Sequence, residues 1–328
     1  MNRRDFLKHA STAGLAAANI AHAAPAIQTV LGPLDGSKLG FTLTHEHICK
    51  HPPHYGSRAN ALAKAVDKLK EARDGGVDTI IDVTPFDVGR DVRFGQDVSR
   101  KSGMQIVACT GQHQYAPESY HARSVQEITE LFVKEIEQGI GDTGIRAGVI
   151  KVAAHGDALT PAEVNVFKAA ARASKLTGIP IETHTNSRRR NGGKQAGVFE
   201  SEGLSPAKVS LGHSNDTDDI EYLTGLAKRG YTLGMDHAFW GLAPGTELPW
   251  QGRLESIKRL IDAGFAGHIF LSNDWVFGDL ARDKVNPDGL LYTTRKTIPY
   301  LRQIGVSQQA IHAITVENPK RFFSRGRT

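Results

Sequence analysis

The sequence predicts a (β/α)8 (TIM) barrel built as one large α/β domain. Short apolar runs alternate with longer helical patterns from Phe41 to about Phe277, eight of the runs read as strands, and no low-complexity segment or linker interrupts them. Repeated strand, helix, strand order with short connections means parallel strands joined by right-handed crossovers. Eight such units make a closed barrel. A doubly wound open sheet would want a Gly-rich phosphate loop after its first strand, where this chain has Thr44-His45-Glu46-His47. At 328 residues the chain suits a single barrel of this kind.

The elements follow in order. Residues 27 to 40, with the turn-forming Asp35-Gly36, are expected as a short hairpin covering the barrel base. The first barrel strand is 41 to 47. Behind it Leu62, Val66 and Leu69 recur at i, i+4, i+7, the apolar stripe of a helix packed on a sheet, and Gly75-Gly76 stops that helix. Strands two and three are 78 to 84 and 105 to 111. Val125, Ile128, Phe132 and Ile136 form the next stripe, ahead of strand four at 148 to 154. Thr160-Pro161-Ala162-Glu163 supplies an N-cap, a proline at the first helical position and an acid in the first turn. Strands five to eight are 179 to 185, 209 to 214, 231 to 237 and 268 to 274, and residues 292 to 323 read as closing helices.

Composition excludes several classes. Hydrophobic content of 40% and charged content of 23% belong to a globular protein with a sizeable core. The net charge of +5 is modest, and no basic block is interleaved with aromatics, so nucleic acid is not an expected partner. No stretch reaches the roughly 18 apolar residues of a membrane span. Arg188-Arg189-Arg190 reads as a solvated loop, with a place near a site mouth as the alternative. Residues 1 to 23 read as a twin-arginine signal peptide: Arg3-Arg4-Asp5-Phe6-Leu7-Lys8, an Ala-rich stretch, then Ala21-His22-Ala23 before Ala24. Export to a bacterial periplasm through the twin-arginine machinery is the expectation, with residues 24 to 328 as the barrel. That leader carries three cations against one acid, so the remainder keeps little excess charge. Cys49 and Cys109 are too few for a disulfide framework and read as two separate buried thiols.

Active sites of such barrels lie at the C-terminal ends of the strands. His45 and His47 end strand one, Lys151 lies inside strand four, and His184, His213, His237 and Asp274 end strands five to eight. Residues i and i+2 of a strand share a side, so His45 and His47 can serve one metal ion. Each residue has a plain alternative, such as a hydrogen-bonded core histidine or, for Asp274, a helix cap. Chance rarely aligns so many ionisable groups at one mouth. Lys151 within Gly148-Val149-Ile150-Lys151-Val152-Ala153 would carry a large desolvation cost as an unpaired ammonium. A neutral amine can instead take up carbon dioxide, giving a carbamate whose two oxygens span a pair of divalent ions. Four imidazoles, a carboxylate and a carbamate suit zinc, with cobalt or manganese as substitutes. Ions roughly 3.5 to 4 Å apart would activate a water between them and polarise the bond under attack.

These motifs resemble the bacterial phosphotriesterase (parathion hydrolase, aryldialkylphosphatase) family of the amidohydrolase superfamily. The likeness rests on residues 41 to 49, 144 to 152, 212 to 219 and 271 to 275, and it spans about Ile27 to Phe323. It implies a binuclear centre in which His45, His47 and Asp274 hold the more buried metal and His184 and His213 the more exposed one, bridged by carbamylated Lys151. It also implies that Asp274 takes the proton as hydroxide attacks, passing it to His237 and then Asp216. A phenolate leaving group needs little acid help, so no dedicated general acid is expected. A homodimer is the family expectation, and peripheral membrane association is a further one.

Departures concern the substrate. Gly111-Gln112-His113-Gln114 stands where the paraoxon hydrolases have aromatic residues, Lys50 replaces a small residue, and the segment after Asp274 is shortened through Asp279 to Asp283. The expected pocket residues are Lys50, His113, Gln114, Trp240 and Trp275. Phe239, Trp240, Leu242 and Trp250 could form an apolar wall or pack on the barrel. The function expected is hydrolysis of organophosphate triesters such as paraoxon, with a lactonase or arylesterase on the same centre as the alternative. A non-catalytic metal- or solute-binding protein is the reading from another class.

Overall fold

Ahead of the barrel lie two antiparallel strands, β1 (Ala26–Thr29) and β2 (Gly32–Asp35), in a computed structural model that describes residues 26–113, 120 and 122–324. Residues 1 to 23, read from the sequence as a signal peptide, and Gln114 lie outside the described residues. The expected hairpin forms, but its tip is Val30-Leu31 and not Asp35-Gly36. Thr29 Oγ1 holds that tip, accepting from Leu31 N and donating to Gly32 O. Asp35 instead caps a 3-10 turn at Gly36–Lys38 by accepting from Ser37 N at 2.8 Å.

Eight parallel strands follow in sequence order: β3 (Thr42–Glu46), β4 (Thr79–Asp82), β5 (Gln105–Gly111), β6 (Val149–Ala153), β7 (Ile181–His184), β8 (Val209–Leu211), β9 (Thr232–Met235) and β10 (Ile269–Leu271). Every expected strand is present. The ring is closed by backbone bonds between β3 and the segment after β10: Asp274 N to His45 O at 3.0 Å, His47 N to Trp275 O at 2.9 Å and Phe277 N to His47 O at 2.9 Å. This seam lays Asp274 beside the two histidines of the first strand. β8, β9 and β10 end earlier than their sequence ranges, so His213, His237 and Asp274 lie in the loops just past the strands. His213 (φ 57°) and Asp274 (φ 52°) take left-handed backbone there, which only a sharp local turn enforces on a non-glycine residue. In β3 the register against β4 slips between Leu43 and Glu46, a bulge that re-aims the end of the strand.

The barrel interior is apolar at its base. Ile81, Val83, Val107, Cys109, Val149 and Phe270 meet Ile27, Leu39, Phe322 and Phe323, so the hairpin and the last helix plug the bottom. The other strand faces, including Ile80, Ile106, Ile150 and Val152, bury the helices. Three sequence readings of those helices hold. Val66 and Leu69 are buried on the helix Arg58–Asp74, which ends at Gly75; Ile128, Phe132 and Ile136 are buried on Val125–Glu137; and Pro161–Thr177 opens with a full capping box between Thr160 and Glu163. The closing segment is helical to Phe323, with π-helical turns at Thr293–Thr297 and Ala313–Glu317. Cys49 and Cys109 are separate buried thiols. Among the described residues no helix is long and apolar enough to cross a membrane.

Candidate metal centre

With the base filled by hydrocarbon, the polar side chains crowd the opposite end of the barrel. On β6, Val149 and Lys151 share one side; Val149 belongs to the plug, and Lys151 stands above it, fully buried. Its Nζ lies 2.6 Å from His45 Nε2, and among the described residues no carboxylate is within ion-pair distance. Burial pushes the Lys151 pKa down.

His47 Nε2 lies 3.2 Å and His45 Nε2 3.9 Å from Asp274 Oδ1. These three residues form a group able to hold a metal ion, with donor atoms all within 4.8 Å of one another. On the other side His184 Nδ1 and His213 Nε2 face each other at 2.8 Å. All four imidazoles are held neutral. Burial, aided by Lys151, lowers His45 to about 3, and burial also lowers His47, His184 and His213. Neutral rings with converging lone pairs are what a borderline divalent cation requires.

The supporting carboxylates were not singled out in the sequence. Asp236 is buried beneath the histidines: Oδ1 accepts from His213 N at 2.9 Å and meets His213 Nδ1 at 2.8 Å, while Oδ2 lies 3.2 Å from His45 Nδ1. It faces the His45 ring at ion-pair distance and fixes the His213 ring by hydrogen bonds, both with Nε2 toward the site. Thr84 Oγ1 does the same for His47 Nδ1 at 3.1 Å. Gly212 makes room for this arrangement, since a Cβ there would sit 2.3 Å from Thr183 O and 3.0 Å from the His45 ring. Glu46 gathers the turn that carries Asp274, accepting from Ser272 Oγ (2.7 Å), Asn273 N (2.8 Å), Asn273 Nδ2 (3.1 Å) and Trp275 N (2.7 Å). Asp82 binds Ile48 N and Cys49 N in the same manner. Glu182 is buried beneath His184, and burial raises its pKa. A carboxylate beside a site histidine, as in Asp236-His237, was the signal available for the first of these.

Behind Asp274 runs a chain of contacts toward solvent. Asp274 Oδ2 lies 3.2 Å from His237 Nε2, and His237 Nδ1 lies 3.1 Å from both Asp216 oxygens. Buried Arg253 pairs with Asp216. Burial opposes a charge on His237, but Asp216 and Asp274 outweigh it and raise the ring to about 9. Asp216 is held below the usual carboxylate range because His237 and Arg253 overcome its burial.

A cavity of about 280 Å³ opens on Asp274, His47, His184 and His237, with Lys50, His113, Trp240 and Arg282 in its wall. Of the expected wall residues, Lys50, His113 and Trp240 line this cavity. Trp275 does not: it is buried, donates from Nε1 to Asp283 at 2.9 Å and packs by Phe277, because the seam bond at its carbonyl turns it into the core. Of the loop aromatics only Trp240 lines this cavity; Phe239 is buried behind it and Trp250 packs on Tyr300. Arg282 was missed in the sequence. Its Nη1 donates to Asp274 O (2.8 Å) and Oδ2 (3.2 Å), and its guanidinium covers the Trp240 ring at 4.5 Å. A second cavity of about 440 Å³ shares His184, His237 and Trp240 and includes Arg188, so the arginine run does reach a site mouth.

Comparison with known proteins agrees with this architecture. The Phosphotriesterase family profile matches residues 25–323. An aryldialkylphosphatase of Saccharolobus solfataricus is 35% identical over 308 residues, covering 89% of this chain and 97% of that one. A phospho-furanose lactonase of Mycoplasmopsis synoviae is 32% identical over 333 residues, covering 90% of each. The solved structure of the phosphotriesterase from Mycobacterium tuberculosis superposes with a TM-score of 0.85 at 34% identity, over 93% of this chain and 100% of that one. With the strand order, the ligand-like constellation and matches across nearly its whole length, this chain belongs to the phosphotriesterase family.

Proposed function

We propose that this protein is a metal-dependent phosphotriesterase that hydrolyses organophosphate triesters with activated leaving groups. The observation that carries the reading is two donor sets at one end of the barrel, with Lys151 against the first: His45, His47 and Asp274 would hold one divalent ion, and His184 and His213 a second. Carbamylated Lys151 would join them, and the donor chemistry suits zinc, with cobalt or manganese as substitutes. Such ions supply, when bound, a water ionised near neutral pH and a Lewis acid for the phosphoryl oxygen. The protein's own part is proton removal and positioning. Asp274 accepts the proton, His237 relays it from Nε2 to Nδ1, and Asp216, oriented by Arg253, delivers it to solvent. The N-terminal leader supports export to the periplasm.

A second reading, a lactonase or arylesterase on the same centre, is favoured by the polar cavity wall of Lys50, His113 and Arg282 and by a relative named for lactone hydrolysis. The test is metal content together with kcat/KM for paraoxon and for an acyl lactone, before and after chelation. Two metals per chain and chelator-sensitive paraoxon hydrolysis are expected. A lactone preference of several orders of magnitude would transfer the assignment to the second reading, and absence of any hydrolysis would favour a binding protein.

A further inference from the structure

We propose that the cavity beside the metal ligands contains an anion subsite centred on Lys50, which selects esters bearing a negatively charged substituent. The inference rests on the hydrolase reading above and names the substrate class of that same site. Lys50 is half-buried in the cavity wall, with Val88, His113, Trp240, Asp279 and Arg282 around it. Among the described residues its ammonium enters no ion pair and no hydrogen bond.

The acid closest at hand in that wall is already committed. Asp279 Oδ2 pairs with Arg282 Nε at 3.2 Å, and Oδ1 accepts from Ala281 N and Arg282 N at 3.1 Å each. Asp274 is likewise engaged by His47, His237 and Arg282. Asp279 and Asp82 act on Lys50 only at longer range, while burial and Arg282 weigh against its charge, so Lys50 brings to the wall a cation without a direct ion-pair partner. Two more polar atoms point the same way: Trp240 Nε1 and His113 Nδ1 are buried without a hydrogen-bond partner. A neutral, alkyl-substituted ester would cover these groups and leave them unmatched, which is costly. A carboxylate or phosphate substituent would meet the ammonium in a charge-assisted bond and offer an acceptor to the indole N–H. Lys50 shares this one cavity of about 280 Å³ with Asp274 and His47, so a substituent on it belongs to the same bound ester.

The experiment compares matched pairs on the metal-loaded enzyme. One pair is 5-oxotetrahydrofuran-2-carboxylate and its carboxamide; a second is a γ-lactone carrying a phosphomethyl or a hydroxymethyl group; a third is a diethyl aryl phosphate with a carboxylate or a carboxamide on the ring. In whichever class is turned over, the charged member should be preferred about tenfold to a hundredfold in kcat/KM, the worth of one charge-assisted hydrogen bond. Comparing the carboxylate pair with the phosphate pair identifies the anion. Lys50→Met should bring the ratio near unity and Lys50→Arg should keep most of it. Equal rates within a pair, or a preference that survives Lys50→Met, would overturn the subsite while leaving the hydrolase reading intact. If no ester is cleaved, the hydrolase reading fails and calorimetry decides the subsite alone: pyroglutamate must bind more tightly than its amide, and Lys50→Met must erase the difference. Should Lys50→Met not fold, the wild-type ratio must fall as ionic strength rises, and a salt-independent ratio would refute the proposal.

Discussion

Replacing Asp236 with asparagine separates the two proposed metal positions. Asp236 Oδ1 takes both the backbone N–H and Nδ1 of His213, at 2.9 and 2.8 Å, whereas Oδ2 faces only His45 Nδ1 at 3.2 Å. An asparagine keeps one oxygen, which two donors from His213 will claim. Its NH2 group then faces His45 Nδ1, and because an amide nitrogen cannot accept, the His45 proton must move to Nε2. That nitrogen points into the site beside Lys151 Nζ, so it can no longer offer a lone pair to a metal. The lost contact of His45 Nδ1 with a carboxylate oxygen is an ion-pair contact outside hydrogen-bond geometry, so its worth is at most about 1.5–3 kcal/mol, equal to at most about a 10- to 150-fold loss in affinity. Support residues of metal ligands cost a comparable 10- to 100-fold, roughly. The assay is competition for metal with a chromogenic chelator, resolving the two binding steps in wild type and variant. The step involving His45, His47 and Asp274 should weaken, and the His184–His213 step should change little. Unchanged affinity in both steps, or weakening confined to the His184–His213 step, would refute the reasoning.

Lys151→Ala should remove the bridge between the two donor sets and most activity, with partial rescue by added short carboxylates; undiminished turnover would rule out the carbamate. His237→Asn should slow turnover of fast substrates with metal content intact, since His237 touches Asp274 from the side away from His47, and metal loss instead would make it a ligand. In metal-stripped protein His237 should titrate near 9, followed by NMR. Because that value lies above the ordinary 6.5, its stabilising contribution is complete below pH 6.5 and is lost as pH rises through 9; Asp216→Asn should move the titration back toward 6.5 and shrink that loss. Glu46→Ala should destabilise the fold by about 3 kcal/mol or more, because it strands several buried donors at once, and a thermal midpoint within a degree of wild type would contradict this.

The strands and the ligand-like residues were legible because both depend on local pattern: apolar runs bounded by helices, and ionisable groups at one end of each run. Support residues were harder to see. Asp236 and Glu46 sit beside site histidines in the chain, and their roles depend on loops folding back from distant positions, Glu46 reaching Trp275 across the seam. Trp275 was read as a wall residue from its place next to Asp274, but its carbonyl is bonded to β3 in the seam and its side chain lies in the core. Asp35-Gly36 carries a turn signal that a 3-10 cap and a hairpin tip share. Arg282 lies in the short helix Leu280–Val285, too brief to show a periodic pattern, and only its three-dimensional reach to Asp274 and Trp240 marks it.

The seam between β3 and the Asp274 turn joins residues more than two hundred positions apart, as the bond from Asp274 N to His45 O illustrates. Contacts of such separation form late, after the loop entropy of the whole intervening chain has been overcome. The His45, His47 and Asp274 set therefore cannot exist on a growing chain, however complete its first seven barrel strands. A metal ion captured there would act as a latch on the finished ring, and metal uptake would report that both ends of the barrel have met.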